Sequence, residues 1–214
     1  MVRNREQRRC MNPPRFGVLL SGTGRTLANF LDRIEDGRFN GEIAAVVSSV
    51  PDAGGLEIAR NAGIPAITVQ RRNYENDLEF SNAIYEEVEG YSPDLLLLCG
   101  FLRRLVVPSR WESRILNIHP ALLPEMSFAA GRGMYGDRVH AAVLDHGSTR
   151  TGASVHVVEN VYDSGDVVAT AEIDVIPTDT VKDLASRVFE VECDLYPRAV
   201  TEYLKTHPQL IREK

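Results

Sequence analysis

The stretch Phe16-Gly17-Val18-Leu19-Leu20-Ser21-Gly22-Thr23-Gly24-Arg25-Thr26-Leu27 decides the fold. Its first five residues form a short apolar run that reads as a strand, and Leu27, Phe30, Leu31 and Ile34 recur at helical spacing over Thr26 to Asp36. Between them lies a glycine-rich turn, so the segment is a strand running directly into a helix. Working outward, the same alternation continues. Glu42 to Ser48 (EIAAVVS) is a second strand followed by a helix over Gly54 to Ala62. Ile64 to Val69 is a third, followed by a helix over Tyr74 to Glu89, and Leu95 to Cys99 is a fourth. Continuous apolar strands separated by helices of about ten residues predict βαβ units and a parallel sheet covered on both faces.

The character changes after Arg114. Ile115 to His119 reads as a short strand, Ala121 to Asp137 as a glycine-rich loop, and Arg138 to His146 as a helix ending in Gly147. Two β-rich runs, Gly152 to Val158 and Asp166 to Ile176, predict a hairpin closing the sheet edge. Thr180 to Lys205 is the last helix, with Thr178 or Thr180 as candidate N-cap and Asp183 three residues after Thr180 in capping-box spacing. The expectation is one α/β domain over residues 15–214: a Rossmann-like open, mostly parallel sheet, helices on both faces, and an antiparallel edge hairpin in the C-terminal half. A phosphate-binding half is expected over about 15–114 and a catalytic half over about 115–214. Residues 1–14, with Arg3, Arg5, Arg8 and Arg9 and no apolar run behind them, read as a basic, flexible arm.

A chain of 214 residues can bury most of the surface that its unfolded form exposes, enough for a core without staples. The 24 Lys and Arg against 30 Asp and Glu leave a net charge of -6, which argues against a nucleic-acid partner. No apolar run approaches the length of a membrane span. Cys10, Cys99 and Cys193 are odd in number and lack CxxC spacing, so thiols in a reducing, cytoplasmic compartment are expected. The five histidines form neither HxH nor HExxH, so no metal site is expected.

Glycines at a helix N-terminus leave free N–H groups at the positive end of the helix dipole, which suits a phosphate. The segment Gly22-Thr23-Gly24-Arg25-Thr26 lacks the third glycine of GxGxxG, and Val46-Val47-Ser48-Ser49 stands where an acid would end the second strand, so a mononucleotide or sugar phosphate is favoured over a dinucleotide. A merely structural turn is the competing reading.

In Asn117-Ile118-His119-Pro120, residues two apart share a strand face, so Asn117 and His119 project together. Pro120 stops the ladder at the strand end where open α/β sheets bind ligands. An amide donor beside an imidazole suits acyl transfer, with Asn117 at an oxyanion and His119 at a proton. A core histidine beside a capping Asn is equally compatible. Asp163, in a turn between two β runs, is the best carboxylate to tune the histidine, against an ordinary Asx turn; Asp145 is a rival.

These motifs, with Gly100-Phe101-Leu102-Arg103-Arg104-Leu105, Gly152-Ala153-Ser154-Val155-His156 and Tyr162-Asp163-Ser164-Gly165, occur in the order that resembles the phosphoribosylglycinamide formyltransferases, within the 10-formyltetrahydrofolate-dependent formyltransferases. The resemblance implies formyl transfer from 10-formyltetrahydrofolate to the amine of glycinamide ribonucleotide, a step of purine synthesis. It implies a catalytic trio of Asn117, His119 and Asp163. Phosphate and ribose contacts fall on Gly22, Thr23, Gly24, Arg25, Thr26 and Glu192. Leu102, Arg103, Arg104 and Leu105 match the folate pocket, with Arg72 as a further anion-binding arginine. It implies small-molecule partners only, no metal, and a monomer or homodimer.

The sequence departs from the family at Thr26, where many members have Asn, in the long loop Glu125 to Asp137, and in the arginine-rich arm before Arg15, which has no counterpart in the family motifs. These departures bear on the acceptor and not on the donor. A sugar-nucleotide or other small-amine formyltransferase is therefore an alternative, as is formyltetrahydrofolate deformylase. A methionyl-tRNA formyltransferase is disfavoured by the acidic charge and by the absence of a further β-barrel domain. From another class, a non-catalytic phosphate-binding module remains a rival.

Overall fold

The structure is a computed structural model that describes residues 13–212. Apart from Pro13 and Pro14, the expected basic arm lies outside the described residues, as does Cys10. Seven strands form one sheet in the order β3-β2-β1-β4-β5-β6-β7. These are β1 (Arg15–Leu20), β2 (Glu42–Ser48), β3 (Ala66–Thr68), β4 (Leu95–Leu98), β5 (Ile115–His119), β6 (Arg150–Val157) and β7 (Val167–Asp174). The first five are parallel; β6 and β7 run antiparallel to their neighbours, which is the edge hairpin read from the sequence.

Helices α1 (Arg25–Glu35), α2 (Gly54–Asn61), α4 (Asp137–Asp145) and α5 (Val181–Thr206) share one core with Val18, Leu20, Leu97 and Leu116. Helix α3 (Asp77–Glu89) covers the other face, packing Phe80, Ile84 and Val88 against Leu19, Leu96 and Ile115. The alternating parity of each strand thus feeds two apolar layers, as a doubly covered sheet requires.

Local chemistry explains where elements start and stop. Thr180 accepts from the Asp183 N–H while Asp183 accepts from the Thr180 N–H, completing the expected capping box. β3 is shorter than its apolar run because Pro65 has no N–H to give the ladder and only accepts, from Val46. Helix α3 begins at Asp77 instead of Tyr74 because Asn76 caps it, accepting from the Glu79 N–H.

The chain reverses winding between β1 and β4, and ligands of open α/β sheets sit outside such a switch point. There Ser21 N–H donates to the Gly100 carbonyl, and the Ser21 hydroxyl accepts from Leu102 N–H. The two loops that leave β1 and β4 are thereby held as one surface.

Candidate functional site

A cavity of about 880 Å³ opens at that switch point and draws on both halves of the chain. One end is the turn after β1. Gly24 adopts the left-handed conformation, and a Cβ there would lie 2.4 Å from the Cα of Gly55, so both conformation and close packing require glycine. Among the described residues no side chain caps α1, which leaves the N–H groups of its first turn to face an anion. The Arg25 guanidinium stacks 3.9 Å above the ring of Phe189 on α5. One turn further along α5, Glu192 faces the same end; burial pushes its carboxyl up to about 7, against the opposing charge of Arg25.

The other end is built on β5 and β6. Asn117 lies opposite His156 in the antiparallel register and His119 opposite Ser154, so all four side chains share one sheet face. His156 Nδ1 is 2.9 Å from the Val157 carbonyl, which can only accept, so Nδ1 carries a proton. In the neutral ring Nε2 therefore accepts from the Asn117 amide at 3.0 Å, which turns the Asn117 NH2 group toward this site and leaves its second hydrogen for a ligand.

His119 is 3% exposed. Its Nε2 donates to the Ala129 carbonyl at 2.9 Å, and its Nδ1 lies 3.9 Å from Asp163 Oδ2. Burial lowers the His119 pKa, while the Asp163 charge and the bond to Ala129 oppose that shift. Asp163 itself has a positive φ, a left-handed conformation that aspartate tolerates at a turn tip. Its Oδ2 accepts from the Gly131 N–H at 2.7 Å and its Oδ1 lies 3.6 Å from His156 Nε2. Burial works to raise its carboxyl, but His156, the His119 charge and the Gly131 N–H together hold it below the usual carboxylate range.

The structure thus brings Asn117, His119 and Asp163 onto one cavity with Gly22, Thr23, Gly24, Arg25, Thr26, Glu192, Leu102, Arg103, Arg104 and Leu105. Arg72 is not among them: it lines a smaller neighbouring cleft of about 180 Å³ with Arg103, and the large cavity takes Arg71, held by Asp77 at 2.7 Å. Three contributors were given no role in the sequence reading: His156, quoted only within a motif, Phe189, and the backbone of Ala129 and Gly131. His156 stands two residues after Ser154 on an alternating strand, a signal that becomes informative only once β6 is paired with β5. Cys99 is buried, whereas Cys193 is half-buried. Among the described residues, no group of three or more His, Cys, Asp or Glu side chains could hold a metal ion.

The formyl transferase family model matches residues 14–200. The chain belongs to the formyl transferase family. A chloroplastic phosphoribosylglycinamide formyltransferase of Arabidopsis thaliana is 35% identical over 87% of the chain, and the chain spans 64% of that protein's length. The phosphoribosylglycinamide formyltransferase of Haemophilus influenzae is 34% identical, over 87% of this chain and 85% of its own. Among solved structures, glycinamide ribonucleotide transformylase 1 from Symbiobacterium toebii superposes with a TM-score of 0.81 at 36% identity, covering 88% of this chain and 86% of that one. The formyl transferase fold and the open, mostly parallel sheet expected from the sequence are the same architecture. No helix among the described residues is long and apolar enough to cross a membrane.

Proposed function

We propose that this chain transfers the formyl group of 10-formyltetrahydrofolate to the primary amine of glycinamide ribonucleotide. The observation that carries the reading is the single cavity with an anion-binding turn at one end and Asn117, His119 and Asp163 at the other. A phosphorylated amine fits between them: phosphate on the first turn of α1, ribose near Glu192, amine toward His119. The Leu102 to Leu105 segment offers backbone groups and the exposed Leu102 side chain to a flat pterin, and the exposed Arg103 and Arg104 suit the acidic tail of a folate.

In this reading the acceptor nitrogen attacks the formyl carbon, a new C–N bond forms, and the bond to the folate nitrogen breaks. The oxygen becomes an oxyanion on the way, and the free Asn117 N–H donates to it. His119 Nδ1, the ring nitrogen not tied to Ala129, takes the proton the amine must lose and passes it to the departing nitrogen. Asp163 favours the charged imidazole while that proton is in transit, offsetting the cost of burial. These steps call on no metal. The partners are two small molecules, with no nucleic acid or membrane, and the compartment is cytoplasmic; a monomer or a homodimer would serve.

Mass spectrometry with 10-formyltetrahydrofolate carrying a labelled formyl carbon tests the reading. The label is expected on glycinamide ribonucleotide, with no folate product in its absence. Release of labelled formate without acceptor would instead indicate a deformylase. Transfer to an amino-sugar nucleotide but not to glycinamide ribonucleotide would reassign the acceptor. Absence of any turnover would favour the phosphate-binding module.

A further inference from the structure

The long loop between β5 and α4 hydrogen-bonds the reactive pair through its main chain. His119 Nε2 reaches the Ala129 carbonyl at 2.9 Å, and Asp163 Oδ2 reaches the Gly131 N–H at 2.7 Å. Between them Ala130 is extended, with φ -127° and ψ 169°. In an extended chain the carbonyl before a residue and the N–H after it point to the same side, as in one half of a β-ladder. Ala129 and Gly131 therefore present one acceptor and one donor side by side, spaced as a strand would present them, and the His119 and Asp163 side chains take the place of the partner strand.

We propose that the Ala129–Gly131 backbone is a positioning clasp for the reaction, fixing His119 as the Nε2–H tautomer through Ala129 and holding one oxygen of Asp163 through Gly131. The inference rests on the formyl-transfer reading for its purpose and on geometry for its substance. A carbonyl cannot donate, so the Ala129 contact admits only a protonated Nε2 and leaves Nδ1 as the nitrogen that exchanges protons. The Gly131 N–H stabilises the ionised carboxylate and keeps Oδ2 on the His119 side, while Oδ1 remains on the His156 side. Glycine is required at the donor because its φ is positive and lies beyond the ordinary left-handed basin of L residues. No atom lies within 4 Å of a Cβ placed there, so an added methyl acts through backbone conformation and not through a clash.

NMR of the substrate-free protein tests this. With 15N-labelled histidine, His119 is expected as the Nε2–H tautomer when neutral, and Asp163→Asn should leave it so because Ala129 sets it. In Gly131→Ala the Asp163 carboxyl, followed by 13C, is expected to titrate higher by on the order of one pH unit. In the same variant kcat should fall on the order of tenfold, with both KM values within about twofold. An Nδ1–H tautomer, or a tautomer change in Asp163→Asn, overturns the role of Ala129; an unmoved Asp163 titration in Gly131→Ala overturns that of Gly131. Should Gly131→Ala not fold, the Asp163→Asn and unsubstituted proteins still decide the tautomer. The NMR readouts need no turnover, so failure of the clasp and failure of formyl transfer are separately visible.

Discussion

The two ends of the cavity are built on different principles. The turn after β1 offers backbone N–H groups in a conformation written into closely spaced glycines, with the side chains of Arg25 and, from α5, Glu192 beside them. The opposite end joins two buried histidines, His119 and His156, to the half-buried Asp163; they come from β5, β6 and the β6–β7 turn and are held by contacts across the sheet. Phosphate binding needs a preformed, non-titrating donor array, whereas proton transfer needs a group whose pKa burial and neighbours can set. Damage at the first end should therefore weaken acceptor binding, and damage at the second should slow chemistry.

The largest expected effect is at the chemical end. His119→Ala should lower kcat on the order of a hundredfold or more, with acceptor KM little changed. Near-normal kcat would erase the distinction between the ends. Next, Gly24→Ala combines a left-handed φ that disfavours alanine with a contact of 2.4 Å to Gly55. A loss of about 1–3 kcal/mol in stability is expected. Thermal unfolding and steady-state kinetics check it: a lower Tm, a raised acceptor KM and a kcat that stays near normal. A fall in kcat with KM unchanged would mean that the turn serves chemistry and not binding.

The smallest effect concerns Glu192. Its folded pKa of about 7 lies above the unfolded value near 4.5, so its contribution to stability is full below 4.5 and lost as pH rises through 7. Glu192→Gln, which keeps the neutral form, should match the native Tm at pH 4 and exceed it at pH 8. Equal Tm values at both would mean that the carboxyl is not buried in its neutral form.

The same contrast explains what could be read in the sequence. The sheet, the hairpin and the phosphate turn follow from local patterns: apolar runs, Gly22 and Gly24 beside an amphipathic helix, Thr180 with Asp183. Asn117 and His119 were legible as a pair because strand alternation is itself local. Joining Asp163 to them depends on how the β6–β7 turn folds back, and its spacing alone favoured an ordinary Asx turn. His156 and the Ala129 and Gly131 main chain were beyond reach, since their roles arise from strand register and from loop dihedral angles. Arg72 illustrates the cost of neighbouring like residues: only the fold decides that Arg71 faces the large cavity.

The pH profile of kcat, measured for the native protein and for Asp163→Asn, tests most directly the claim that a buried His119 tuned by Asp163 moves the proton. Burial lowers the His119 pKa and Asp163 partly restores it, so activity should fall on the acid side with a midpoint below 6.5. In Asp163→Asn the maximum rate should drop on the order of tenfold to a hundredfold, and the midpoint should move lower still. A midpoint above 6.5, or one that Asp163→Asn leaves in place, would contradict the account.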